Sequence, residues 1–226
     1  MHPLLRAQVA QVARRIHAAG WAANHDGNVS VRLGRDRFLI TPTATSKAEV
    51  TEAMLVVVDG AGALVEGTKK PPGETELHLA AYRARPDALA VLHAHPPYAT
   101  AFGVARVALE PVCLPEAVVS LGFVPTAPFA LPKTPLATEA VSRCASEADA
   151  MLLPGNGALT LGPDLALAFL RMELVEHLAA ILHHARALGG AQPLPEEELK
   201  KLLEQNRKAF PRGQSSDLAP AAGGKR

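Results

Sequence analysis

The segment Leu89-Ala90-Val91-Leu92-His93-Ala94-His95 is apolar almost to its end and runs straight into Pro96-Pro97. Two consecutive prolines donate no backbone N–H and cannot continue a ladder, so the run reads as a buried strand with a forced stop. Side chains alternate along a strand, which puts His93 and His95 on one side and Ala94 on the other. Imidazoles at the end of a strand lie at the rim of a sheet, where ligands commonly bind in layered proteins. At this spacing the two rings suit a single metal ion; each also has a simpler reading as a hydrogen-bonded strand histidine. Any fold for the chain has to bury this strand and leave its histidine end at a rim.

The other segments supply such a sheet. Residues 3–19 place Leu4, Leu5, Val9, Val12, Ala13 and Ile16 on one helical face, stopped by Gly20. Val29-Ser30-Val31-Arg32-Leu33 alternates as a half-buried strand after a turn-rich stretch, and Phe38-Leu39-Ile40 reads as its hairpin partner. Further strands are expected at Leu55–Val58, Ala150–Leu153 and Ala158–Leu161, and helices at Thr75–Arg85, 135–147, Asp164–Leu188 and Pro195–Ala209. Antiparallel-looking strands between helices imply an α/β layered domain. At 226 residues, 48% of them hydrophobic, the chain suits one compact core over residues 1–210. Residues 211–226, rich in Pro, Gly, Ser and Ala, are expected to form a disordered tail.

Charge narrows the partners. Lysine plus arginine total 23 against 22 acidic residues, which leaves no basic face for nucleic acid. No apolar run nears the roughly 20 residues that span a bilayer, and the N-terminus lacks a signal-like core. Cys113 and Cys144 do not make a disulfide framework in a chain of this length and read as reduced. The expectation is a cytoplasmic protein that acts on a small molecule, with no membrane and no nucleic acid.

Glu74 adds chemistry to the histidine pair. It opens the helix that leads into the His93 strand, where a carboxylate also suits the helix dipole. Glu76 reads as its solvated neighbour. His78, one turn on from Glu74, reads as a buried, hydrogen-bonded residue.

Taken in order, Gly27-Asn28-Val29-Ser30, Thr41-Pro42-Thr43, Glu74-x-x-x-His78, Arg85-Pro86-Asp87-Ala88, His93-Ala94-His95 and Asn156-Gly157-Ala158-Leu159-Thr160 resemble the class II aldolase/adducin family. The resemblance covers about residues 5–190 and implies an αβα fold around a mostly antiparallel sheet, assembled as a homotetramer. It also implies carbohydrate metabolism: a lyase that cleaves, decarboxylates or dehydrates a small hydroxy-carbonyl compound or sugar phosphate through an enediolate. In the family's aldolases a divalent cation, usually zinc, is held by the HxH pair and a third histidine, and a glutamate moves the proton. Carried onto this chain, His93 and His95 are ligands and Glu74 is the proton carrier. The third histidine's position holds Asn156, whose carbonyl oxygen is a harder, weaker ligand. Zinc is then the first expectation, with manganese, iron or magnesium as alternatives. The phosphate pocket maps onto Gly27, Asn28 and Thr43, with Lys47 as an added charge, while the family's hydroxyl pair before the glutamate is replaced by Pro72-Gly73. The adducin branch, which keeps the fold without the ligands, supplies the alternative: a catalytically degenerate scaffold. The apolar stretch Val112–Val124 reads equally as subunit contact or core.

Overall fold

In a computed structural model, which describes residues 2–110 and 112–211, seven strands form one sheet. Its order is β4-β3-β2-β1-β5-β7-β6, and every neighbouring pair is antiparallel. The strands are β1 (Asn28–Gly34), β2 (Arg37–Ile40), β3 (Val56–Val58), β4 (Leu64–Glu66), β5 (Ala90–Ala94), β6 (Ala150–Leu152) and β7 (Ala158–Gly162). The helices are α1 (Pro3–Ala18), α2 (Thr75–Ala84), α3 (Pro97–Ala105), α4 (Pro115–Leu121), α5 (Pro135–Glu147), α6 (Leu165–Ala187) and α7 (Glu196–Ala209).

Two apolar cores sandwich the sheet. Ala90, Leu92 and Ala94 of β5 pack with α1, α3 and α6, whereas Val91 faces the core made by α2 and α5. This alternation gives the expected αβα layering. It also turns His93, the next residue in phase with Val91, toward α2.

Three local outcomes differ from the sequence reading. The β5 ladder ends at Ala94, and the N–H of His95 donates to the carbonyl of Trp21 at 2.8 Å. Pro97 does more than stop the strand: it begins α3, where its missing N–H costs nothing. The short strand β4 went unread because Leu64, Val65 and Glu66 are all exposed, so no alternation marks it. Within Val112–Val124, α4 buries Ala117, Val118 and Leu121, while Phe123 is exposed.

Cys113 and Cys144 are both free thiols. Among the described residues no helix is long and apolar enough to cross a membrane. Of the expected disordered tail, residues 212–226 lie outside the described residues.

Candidate active site

Two glycines bring three segments together at the end of β5. Gly27 has φ +78°, and a Cβ there would stand 3.0 Å from the His93 carbonyl. Its absence lets the chain enter β1 against β5, in the register that sets Asn28 opposite His93. Gly157, at φ +72°, sits so close to β5 that a Cβ would strike the Ala94 carbonyl and lie 2.8 Å from His95 Cδ2. The β6–β7 turn is therefore pressed onto the histidine strand, and Asn156 comes with it. From the opposite layer, Glu74 occupies the N-cap position of α2. Its carboxylate makes no cap hydrogen bond, so the helix dipole is not what fixes its direction.

Instead the carboxylate turns to the strand. Asn28 Nδ2 donates to Glu74 Oε2 at 2.8 Å, and Asn156 Nδ2 donates to Oε1 at 2.8 Å. His93 Nδ1 lies 3.1 Å from Oε2. The other ring nitrogen, His93 Nε2, donates to the backbone carbonyl of Asn156 at 2.7 Å. The His95 ring stands beside it, with centroids 5.0 Å apart. Behind this group His78 Nδ1 pairs with Ser30 Oγ at 2.7 Å, and Ser30 Oγ with the Tyr82 hydroxyl at 3.0 Å.

The electrostatics follow from these contacts. Burial alone would push the Glu74 carboxyl up. The charge of His93 beside it, with the Asn156 amide and His78, holds it well below the usual carboxylate range. Burial opposes the His93 imidazolium too, but the Glu74 carboxylate outweighs it and the His93 pKa is raised. Burial, reinforced by His93 and opposed by Glu74, lowers His78 to about 3. For His95, burial and the charge of His93 lower the pKa against Asp26 and Glu74.

The donor set suits a divalent cation along one edge. The carbonyl of Asn156 can only accept, so the neutral His93 carries its proton on Nε2 and its lone pair on Nδ1. That is the orientation a histidine ligand takes when a carbonyl fixes its other nitrogen. Nδ1 is buried and has no hydrogen-bond partner. With bonds of about 2.0–2.2 Å, adjacent ligands of one cation lie roughly 3 Å apart, and the Nδ1–Oε2 separation of 3.1 Å is such a bite. Because Glu74 accepts the amide nitrogen of Asn156, the Oδ1 of Asn156 is left as a further donor atom. Among the described residues no group of three His, Cys, Asp or Glu side chains forms a finished cage.

The remaining expected residues lie further from this edge. Lys47 is buried, and its ammonium donates to the carbonyls of His25 at 2.9 Å and Thr45 at 3.1 Å. Burial lowers its pKa to about 8 against the pull of Asp26 and Glu74. Thr43 joins its N–H to the Lys70 carbonyl at 3.0 Å. Outside the expected set, His183 and His184 surround Tyr98 at the α3–α6 contact, with ring centroids 5.3 and 5.7 Å from it. Ser30 and Tyr82 were not singled out from the sequence. Strand alternation from Asn28 and the one-turn spacing from His78 were the available signals.

Known proteins share both sequence and fold. The chain is 33% identical to a 3-oxo-tetronate 4-phosphate decarboxylase of Haemophilus influenzae, over 76% of this chain and 83% of that protein. It is 34% identical to an L-fuculose phosphate aldolase of Escherichia coli, over 79% of this chain and 83% of that one. A solved L-fuculose 1-phosphate aldolase superposes with a TM-score of 0.84 at 27% identity, covering 93% of this chain and 98% of its own. Residues 7–183 match the family model described as the class II aldolase and adducin N-terminal domain, and the chain belongs to that family.

Proposed function

We propose that the chain is a divalent-metal-dependent carbon–carbon lyase whose centre is Glu74, His93, His95 and Asn156, acting on a small phosphorylated hydroxy-carbonyl compound. The activities that name the relatives, an L-fuculose phosphate aldolase and a 3-oxo-tetronate 4-phosphate decarboxylase, share one chemical demand. Each breaks a bond to a carbon beside a carbonyl and must shelter the electron pair left behind. The observation that carries the reading is the Glu74 carboxylate, gripped on both oxygens and set against an imidazole nitrogen that lacks a hydrogen bond.

His93, His95 and the Asn156 side chain are the residues that hold the cation; zinc is the first choice, and the oxygen of Asn156 favours a harder ion than a third imidazole does. When bound, a divalent cation supplies Lewis-acid polarisation of adjacent hydroxyl and carbonyl oxygens. Glu74 is kept ionised at neutral pH and stands ready to take a proton from the substrate or return one to the enediolate carbon. Asn28 and Asn156 each occupy one lone pair of a different carboxylate oxygen and hold it in line, which leaves a second lone pair on each oxygen for the proton. Gly27, Asn28 and Thr43 form the wall for the substrate's phosphate, with Lys47 holding the shape of that wall through the carbonyls it binds. The assembly is a homo-oligomer, a tetramer by family resemblance, in the cytoplasm.

Elemental mass spectrometry on tag-free protein tests the centre directly. About one equivalent of a divalent metal is expected in the wild type and loss of it in His93→Ala/His95→Ala. Metal-free wild type after incubation with zinc, manganese, cobalt and iron(II) would overturn the metal-dependent reading and favour the scaffold alternative.

A further inference from the structure

Pro72-Gly73 leaves the approach to Glu74 without side-chain hydroxyls, and a distant part of the chain reaches into that gap. Lys133, just before α5, lies across Gly73. A Cβ added to Gly73 would collide with Lys133 Cε and stand 2.8 Å from its Nζ. The lysine stem thus fills the volume that any larger residue at position 73 would need, and its ammonium reaches the neighbour of Glu74. Lys133 has φ +66°, a left-handed conformation that residues with a Cβ adopt at a cost. The side chain is exposed, and among the described residues no carboxylate or carbonyl pairs with its ammonium.

Glu74 and Lys47 do not compete for this role. Glu74 is already held by Asn28, Asn156 and His93. Lys47 is buried on two carbonyls. Among the described residues Lys133 is therefore a cation without a pairing partner, carried on a strained backbone and laid over a glycine one residue from the carboxylate. Among the described residues no pairing explains that placement.

We propose that Lys133 binds the substrate's phosphate at the mouth of the Glu74 site, a cation standing where side-chain hydroxyls are missing. This rests on the reading of Glu74 as the centre of the site. A flexible ammonium meets a phosphate oxygen through charge-assisted hydrogen bonds, and selects phosphorylated substrates over neutral ones without touching the reacting carbons. Lys133 is thus a specificity residue and Glu74 the group that handles the proton.

The test is calorimetric titration of the full chain with dihydroxyacetone phosphate, the three-carbon phosphate that cleavage of a ketose 1-phosphate releases. In Lys133→Met and Lys133→Gly the Kd is expected to weaken about tenfold or more, with Lys133→Arg retaining most of the affinity. Lys133→Gly also removes the cost of the left-handed backbone, so its melting temperature is expected at or above that of the wild type. Lost binding in that variant is then not lost folding. Gly73→Ala, which displaces the lysine stem, is expected to weaken binding while Lys133 itself remains. An unchanged Kd in Lys133→Met, or no binding of the phosphate to wild type, overturns the proposal. A failure of the Glu74-centred reading shows elsewhere: metal content and binding would then be the same in Glu74→Gln and His93→Ala/His95→Ala as in wild type.

Discussion

At the C-terminal end of α2, Arg85 meets Asp149 at 2.7 Å and Asp87 at 2.6 Å, and Arg171 of α6 closes on the second oxygen of Asp149 at 2.9 Å. Asp149 is fully buried there, between two guanidinium groups. At the N-terminal end of the same helix, Glu74 is held by two neutral amides, with a histidine nitrogen facing it that makes no hydrogen bond. In the first cluster formal charge meets formal charge in bidentate geometry, which ties the end of α2 to the strand β6 and to α6. In the second the charge is matched only in part, and the residual demand for a cation is left for a proton or a metal. One helix thus carries a structural ion cluster at one end and a reactive one at the other, and the kind of partner separates them.

The sharpest way to break this contrast is Asp149→Ala. It removes the carboxylate shared by two buried arginines, of which Arg85 keeps Asp87, and is expected to cost about 3–5 kcal/mol, a large share of a typical domain's total of about 5–15 kcal/mol. Urea denaturation measures it. If stability fell by less than about 1 kcal/mol, the cluster would not be the clamp described.

Glu74→Gln should behave in the opposite way. Removing the proton carrier is expected to slow carbon–carbon cleavage by about 100- to 10,000-fold. Stability should fall by less than about 2 kcal/mol, since glutamine keeps an acceptor oxygen at a part-exposed site. Steady-state assays on candidate sugar phosphates, beside the same urea series, compare the two ends of α2 directly. A Glu74→Gln enzyme with near-normal turnover would remove Glu74 from the chemistry.

How much of this contrast was legible in advance depends on the range of the signal. The histidine pair, its strand and its stop are encoded within nine residues, Leu89–Pro97, and periodicity plus two prolines specify them. The helix start at Glu74 was equally local. The contacts that give Glu74 its character span 46 residues to Asn28 and 82 to Asn156, and no periodicity reports on such pairs. Lys133 over Gly73 was invisible for the same reason: both lie in irregular segments, and their meeting is decided by where α2 and α5 pack. The sequence also could not show that Asn156 acts twice, with its side chain on Glu74 and its backbone carbonyl on His93. An Asn-Gly pair looks like any turn until its neighbours are known.

The smallest expected effect concerns acid stability, and it sharpens the comparison by isolating one buried group behind the reactive end. His78 has a folded pKa of about 3, against about 6.5 in an unfolded chain. Between those values the unfolded state holds a proton that the folded state refuses, so stability falls as pH drops through this window. His95, also lowered, adds in the same sense. The other two groups are separable by sign. His93, raised by Glu74, contributes stability that is fully present below about 6.5 and lost only as pH rises through its folded pKa. Glu74, held low, begins to lose its contribution only below about 4.5, its unfolded value. From pH 6.5 to 4.5, therefore, His78 is expected to dominate the slope, at up to about 1.4 kcal/mol per pH unit for one proton. Replacing it with glutamine, which keeps a polar partner for Ser30, should remove about 2 kcal/mol of the acid-side loss in urea denaturation over that interval. If His78→Gln leaves the slope as it was, the proton is being refused somewhere else, and His78 is not the neutral backstop that keeps the charge of this site confined to Glu74 and His93.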